Sequence, residues 1–311
     1  MSPVPRLAVL PDATDAMPAS LGELTAAIEA GGGTVTGPDE AEGLIWTRWR
    51  DPELLAETLA GLPDVRWVQF VTAGIDRLVP ALDASRVWTS AKGCYSRPIA
   101  EYTIAGLLAG MRSLPAYARE RSWKEQPARS LLGADVTIIG GGGIATALTA
   151  MLAPFDCSVT VVRRGPGAAP GAARTVQSDR LAEVIPGTAV LVVAAALTPE
   201  TAGMVDAPVL AALPAGAWLV NVARGQHVVT DAVVSALADG HLGGAVLDVT
   251  DPEPLPADHP LWGFDNCLIT PHVSCPAALS VPYLLARVAD NVERFATGKP
   301  LTGIVDVDVG Y

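Results

Sequence analysis

The sequence predicts an α/β protein of two domains, each a parallel sheet wound on both faces by helices. Three observations carry that prediction. At 311 residues the chain is longer than one core organises comfortably, so two domains of ordinary size are expected. Short β-branched runs alternate with helical stretches over almost the whole length, the pattern of parallel strands joined by crossover helices. One stretch, VTIIGGGGIA from Val136 to Ala145, passes from an apolar strand through glycines into a helix within ten residues.

Four strands open the chain: Arg6–Leu10, Leu44–Thr47, Val65–Phe70 and Val87–Ser90. A helix from about Ile99 to Tyr117 follows, with Ile104, Leu107, Leu108 and Met111 spaced to line one face, and connects the domains. The second series of strands is Val136–Ile139, Val159–Val162, Val190–Ala194, Trp218–Val222, Ala245–Val249 and Leu268–Thr270. The prolines from Pro276 to Pro282 mark a further boundary, after which Tyr283–Thr297 reads as one amphipathic helix stopped by Gly298 and Pro300. The tail from Leu301 to Tyr311 is too short to fold alone and is expected to pack on the first domain. The expected domains are therefore residues 1–97 with 281–311, and residues 98–280. Only Gly165–Ala173 is of low complexity, and it falls where a surface loop is expected.

Half the residues are hydrophobic and 17% are charged, a composition that fills a core and excludes a disordered chain. With 21 Lys and Arg against 33 Asp and Glu the net charge is −12, which argues against a broad electrostatic grip on nucleic acid or an anionic membrane. An anionic ligand must then be held by a few local basic groups. Cys94, Cys157, Cys267 and Cys275 form no C-x-x-C pair and have no histidine at metal-ligand spacing, so no metal site is expected and the thiols read as reduced, in a cytoplasmic protein. The N-terminal stretch has no cleavage-type apolar region, so neither export nor targeting is expected. The apolar run Thr103–Met111 lies between Glu101 and Arg112 and is about half a membrane span. Its Gly106 and Gly110 are spaced for close packing of the helix instead.

The chemistry starts at the glycines. Gly140-x-Gly142-x-x-Ala145 follows a strand and opens a helix. Gly140 permits a tight turn, Gly142 lets the backbone approach a pyrophosphate, and small Ala145 allows close helix packing while the helix N-terminus, with Gly143 and Ile144, faces the anion. This is the context a dinucleotide-binding Rossmann unit requires. Where such a unit ends its second strand with an acidic residue for a ribose hydroxyl, this chain has Arg163 and Arg164. Two guanidinium groups suit a 2′-phosphate, so NADP(H) is expected over NAD(H), which remains the secondary option.

With that loop in place, the segments LTPET (Leu197–Thr201), VNVARGQHVV (Val220–Val229), GAVLDVTDPEPLP (Gly244–Pro256), HPLW (His259–Trp262) and ITPHVS (Ile269–Ser274) occur in the order of one family. The chain resembles the D-isomer-specific 2-hydroxyacid dehydrogenases from about Thr72 to its end. ARGQHVV, the arginines and the ending VDVDVGY are most similar to the NADPH-using glyoxylate/hydroxypyruvate reductase branch. The resemblance implies a Rossmann cofactor domain and a flavodoxin-like substrate domain, closing by a hinge, in a homodimer. It implies that Arg224 grips the substrate carboxylate, that Glu253 pairs with the catalytic histidine, and that His272 is the general acid/base. It further implies that Ala195, Leu197, Thr201, Val222, Ala223, Arg224, Asp248 and His272 line the cofactor, Asp248 either holding the nicotinamide carboxamide or capping a turn. TAGID, from Thr72 to Asp76, matches a loop of that family, and the resemblance implies that Ala73, Gly74 and Ile75 offer backbone N–H groups to the substrate carboxylate, Arg224 and His272 meeting the same substrate; the other reading is an ordinary turn after a strand.

Physical chemistry agrees with these roles. Reducing a small 2-oxo acid to the (R)-2-hydroxy acid needs a hydride donor, a proton donor and a cation for the carboxylate. A guanidinium fork matches a carboxylate, and a carboxylate beside an imidazole stabilises its protonated form. Arg97 either reaches the substrate as a second anion site or lies solvated; Trp46 and Trp49 either wall the pocket or belong to core and surface. The rival readings are formate or phosphite oxidation on the same fold, of which Glu253 in place of the glutamine of formate dehydrogenases argues against formate and leaves phosphite, and a dinucleotide-sensing corepressor.

Overall fold

The computed structural model describes residues 4–11 and 19–311; residues 1–3 and 12–18, which belong to the N-terminal stretch read above for targeting, lie outside the described residues. The chain divides into two compact units, one of residues 1–95 and 276–311 and one of residues 96–275.

The first unit holds β1 (Arg6–Leu10), α1 (Leu21–Ala30), β2 (Thr34–Val35), β3 (Gly43–Trp46), α2 (Pro52–Ala60), β4 (Trp67–Phe70) and β5 (Val87–Thr89), together with the chain's last helix, α8 (Ala277–Thr297). Its five strands are parallel in the order β2-β1-β3-β4-β5, the flavodoxin-like arrangement. Strands β3 and β4 are buried throughout because helices cover both faces of the sheet. Ser20 and Glu23 cap α1 reciprocally, each side chain accepting from the other's backbone N–H. The tail returns beside β5, where Val305 N–H donates to the Trp88 carbonyl.

Helix α8 starts six residues earlier than the prolines suggest, at Ala277 rather than Tyr283. Pro276 takes the N-cap position, and Pro282 inside the helix removes a single intrahelical bond. The buried row Leu284, Val288 and Val292 holds the helix against the core regardless.

The second unit holds α3 (Ser96–Met111), α4 (Leu114–Arg119), β6 (Asp135–Ile139), α5 (Gly143–Leu152), β7 (Ser158–Arg163), β8 (Arg174–Gln177), β9 (Val190–Val193), α6 (Ala207–Ala212), β10 (Ala217–Asn221), α7 (Thr230–Ala238), β11 (Leu242–Leu247) and β12 (Cys267–Ile269). All seven strands are parallel, in the order β12-β11-β10-β9-β6-β7-β8. Counted from β6, this is the Rossmann order 3-2-1-4-5-6 with one strand added.

The helix expected over 99–117 is two helices. Pro115 cannot donate, and its ring would meet the Met111 carbonyl, so the chain turns at Ser113 with φ 52° and restarts as α4. The Met111 carbonyl accepts from Arg129 N–H instead. Strands β2 and β8 carry no apolar run that would announce them; each is an edge strand with one neighbour, so half of its pairing and burial is missing.

Candidate active site

One row of paired residues organises the second unit's site. Val162, Ile139, Val193, Asn221, Leu247 and Ile269 lie side by side in register across six strands. Adjacent strands run about 4.8 Å apart, so the residues that follow this row emerge along one carboxyl edge. They are Arg163, Gly140, Ala194, Val222, Asp248 and Thr270. Six of the expected site segments therefore open from the same edge although they span more than a hundred residues of sequence.

Gly140 has φ +114°, and a Cβ there would stand 2.4 Å from the Ala194 carbonyl oxygen, so the turn admits only glycine. Gly142 caps α5 and faces open space, with no atom within 4 Å of a built Cβ; Gly143 and Ile144 begin the helix behind it. Ala145 is buried where the helix meets the sheet. Arg163 folds back over the loop: a Cβ on Gly141 would lie 2.7 Å from the Arg163 Cβ, and one on Gly165 would lie 3.2 Å from its Nη2. Its Nε is buried with no hydrogen-bond partner among the described residues. A glycine turn, open helix N–H groups and a guanidinium with an orphaned buried nitrogen fit a phosphorylated dinucleotide. Arg164 is exposed. Glu200 is held below the usual carboxylate range first by the Thr198 hydroxyl and, more weakly, by Arg164.

The loop after β9 carries Ala195 and Leu197, both half-buried, and is closed by Thr201, whose Oγ1 donates to the Ala196 carbonyl at 2.9 Å and accepts Thr198 N–H at 2.8 Å. After β10, Val222 and Ala223 are buried and Arg224 is half-buried in extended backbone, its Nη1 donating to the Ala223 carbonyl at 2.8 Å. Asn221 shapes this turn: its amide donates to the Arg224 carbonyl at 2.8 Å and its Oδ1 accepts from Ala223 N–H at 3.1 Å.

After β12 the backbone of His272 sits at φ 55°, a left-handed conformation rare for a residue with a Cβ. Asp248, almost wholly buried, holds it there. The Asp248 carbonyl accepts His272 N–H at 2.8 Å, and its carboxylate accepts from the Thr270 hydroxyl at 2.7 Å, Val273 N–H at 2.8 Å and Ser274 N–H at 2.9 Å. Tyr102 of α3 hydrogen-bonds Thr270 in turn, and burial pushes its phenol above the usual tyrosine range. The His272 ring meets Glu253 through Nδ1 and Oε1 at 3.0 Å, with both side chains partly exposed. That pairing leaves Nε2 as the ring nitrogen available to a ligand.

Ala73, Gly74 and Ile75 belong to the first unit, on the loop after β4. Ala73 is half-buried and Gly74 exposed, while the Ile75 side chain lies in the unit's core, so only its backbone can meet a ligand. Arg97 is exposed at the start of α3, Trp46 is in the core and Trp49 is partly exposed beneath the Arg50 guanidinium. Asn221 lies in the stretch Asn221–Ala223 that the sequence reading expects to line the cofactor; Thr270, Tyr102 and His227 were passed over, and their partners come largely from distant segments.

Burial raises all four thiols above the usual cysteine range, Cys267 to about 12 and Cys275 to about 11, so none offers a thiolate near neutrality. Among the described residues, no group of three or more His, Cys, Asp or Glu side chains could hold a metal ion, and no helix is long and apolar enough to cross a membrane.

Residues 103–274 match the family model of the D-isomer specific 2-hydroxyacid dehydrogenase NAD binding domain. A protein of the proB 3′ region of Corynebacterium melassecola, itself uncharacterized, is 36% identical over 92% of this chain and 96% of its own. Glyoxylate/hydroxypyruvate reductase A of Klebsiella pneumoniae strain 342 is 32% identical over 69% of each chain. The crystal structure of a D-isomer specific 2-hydroxyacid dehydrogenase from Xanthobacter autotrophicus Py2, in complex with NADPH and MES, superposes with a TM-score of 0.85 at 28% identity, covering 99% of this chain and 100% of that one.

Proposed function

The chain belongs to the D-isomer specific 2-hydroxyacid dehydrogenase family, and from that premise we propose that it is an NADP(H)-dependent reductase of small 2-oxo acids of the glyoxylate and hydroxypyruvate class, yielding the (R)-2-hydroxy acid. The observation that carries the reading is the His272–Glu253 pair at 3.0 Å, on the carboxyl edge that also bears the glycine turn and Arg224. The unit of residues 96–275 is the proposed dinucleotide domain, and the family resemblance gives the backbone of Ala73, Gly74 and Ile75 a role in binding the substrate carboxylate.

The dinucleotide, when bound, supplies the hydride that reduces the carbonyl carbon. Gly140, Gly142 and the N-terminus of α5 would hold its pyrophosphate, Arg163 with Arg164 its 2′-phosphate, and the loops of Ala195, Leu197, Thr201, Val222 and Ala223 its nicotinamide half. Asp248 acts at that end by holding the His272 loop. The Arg224 fork pairs with the substrate carboxylate and draws electron density toward the carbonyl oxygen. His272 gives its Nε2 proton to that oxygen as negative charge develops on it. Glu253 accepts the Nδ1 hydrogen, which fixes the ring and stabilises its positive charge before transfer. Four cysteines without a disulfide among the described residues suit the cytoplasm as its compartment, and the family resemblance carries a homodimer as its assembly.

Oxidation of NADPH and NADH, followed side by side with glyoxylate, hydroxypyruvate and phenylpyruvate, tests the reading. Turnover is expected with one of the two smaller acids and NADPH strongly preferred, and Arg163→Ala lowers that preference by about tenfold, the worth of one charge-assisted contact. Tight NADPH binding without turnover of any 2-oxo acid would favour the sensor, and preference for NADH would refute the arginine argument.

A further inference from the structure

The turn that presents Arg224 contains a histidine that the chemistry above leaves unused. His227 is fully buried, and both ring nitrogens are engaged by backbone of two different loops. Nε2 lies 3.2 Å from the carbonyl oxygen of Ala196, on the loop after β9. Carbonyl oxygens face both nitrogens, and we assign the hydrogen to Nε2 because that tautomer pairs the Ala196 carbonyl and leaves Nδ1 to accept from Arg224 N–H, whereas the Arg224 carbonyl has other donors. Nδ1 lies 3.2 Å from Arg224 N–H, which donates to it. The Arg224 carbonyl, 3.0 Å from the same nitrogen, is served by the Asn221 amide at 2.8 Å and by the N–H of His227 itself at 3.2 Å.

We propose that His227 is a positioning residue that fastens the backbone of Arg224 to the 194–198 loop, so that one buried ring sets both the substrate grip and the dinucleotide wall. The inference rests on the reductase reading for the meaning of those two loops. Further along, the loops are joined without the ring: Gly203 N–H donates to the Gln226 carbonyl at 2.8 Å and Val205 N–H to the His227 carbonyl at 2.9 Å. Loss of the imidazole therefore leaves the base of the two loops zipped and each tip held within its own loop, Ala196 by Thr201 and Arg224 by Asn221, and removes the bond that ties the tips to one another. The consequence falls on binding and turnover more than on folding. A buried apolar side chain would fill the space without the cost of desolvating two nitrogens, so the ring is retained for the contacts it makes.

Three variants separate the two contacts. His227→Leu removes both, His227→Gln places its amide where Nε2 stands, and His227→Asn places its amide where Nδ1 stands. NADPH affinity is read from quenching of tryptophan fluorescence without any 2-oxo acid, KM and kcat from turnover with glyoxylate or hydroxypyruvate, and folding from thermal melts. For His227→Leu, the NADPH Kd and the KM of the 2-oxo acid should each rise about five- to tenfold, one hydrogen bond at each end. His227→Gln should return the NADPH Kd to within about twofold of wild type and leave KM raised, and His227→Asn the reverse, as loss of one contact at a time requires. Wild-type constants in His227→Leu would overturn the inference, and so would an equal loss in all three variants that tracks a fall in Tm. If the wild type binds NADPH and turns over no 2-oxo acid, the reductase reading fails, and the Kd contrast between Gln and Asn still decides the role of His227.

Discussion

His272 stands in a conformation that its side chain disfavours by about 1–2 kcal/mol, and four hydrogen bonds to Asp248 and its neighbours hold it there. A substitution at 272 must therefore respect the backbone if it is to report on chemistry. His272→Asn does so, since asparagine tolerates the left-handed region, and it removes the acid. We expect kcat/KM to fall at least about a hundredfold, the usual worth of general acid catalysis, with the NADPH Kd near its wild-type value. Glu253→Gln keeps an oxygen for Nδ1 and loses the charge, so a smaller fall of about tenfold is expected, and the double variant should fall little below His272→Asn because the two act as one unit. Steady-state kinetics of the three proteins checks this; additive losses would mean that Glu253 acts elsewhere. At this scale the motifs made Arg224, Glu253 and His272 legible. His227 was not, because Ala196 lies 31 residues away and is met through its backbone, which leaves no mark in side-chain identity.

At the scale of elements, α3 lies against the sheet through glycine. A Cβ on Gly106 would stand 2.7 Å from Val246 Cγ1, and one on Gly110 would stand 2.4 Å from the Trp218 ring. Gly110→Ala should therefore destabilise the protein by about 1–3 kcal/mol through overpacking, seen as a Tm lower by several degrees. Gly22→Ala in α1 is the control: its Cβ meets nothing within 4 Å, so it should be neutral or stabilise by up to about 1 kcal/mol. If both variants melt alike, the close approach of α3 is not what selects glycine there. The small-residue spacing of this helix was visible in the sequence, and its break was not. Pro115 marks a stop, yet whether a helix ends or kinks there depends on what receives the Met111 carbonyl, and Arg129 does so from beyond the next helix.

At the scale of the whole molecule, each unit has its own core. Leu7, Ile28, Ile45, Trp67 and Val292 lie in that of the first unit, and Leu148, Val192, Leu219 and Val246 in those of the second. Separate cores permit separate unfolding, so calorimetry should resolve two transitions. NADPH at a hundred times its Kd should stabilise one of them by about 2.7 kcal/mol and leave the other in place, by linkage to the folded dinucleotide unit. A single transition that moves as a whole with NADPH would show instead that the two units melt together. The net charge of −12 sets the wider context: a polyanionic cofactor on so acidic a chain needs a few local basic groups, the role proposed above for Arg163.

The sequence by itself determined the parallel α/β class, the strand–glycine–helix unit, the basic end of β7 and the order of the motifs that hold Arg224, Glu253 and His272. These are local properties, since apolar periodicity and turn sterics are read from neighbours in the chain. The tertiary structure alone decided which loops face one another, that Asp248 braces the His272 turn, that His227 joins two strand ends, and where the edge strands and the proline-bearing helices begin. Those outcomes follow from the register of the seven-stranded sheet, which brings residues dozens of positions apart within hydrogen-bonding distance, and no window of sequence contains that register.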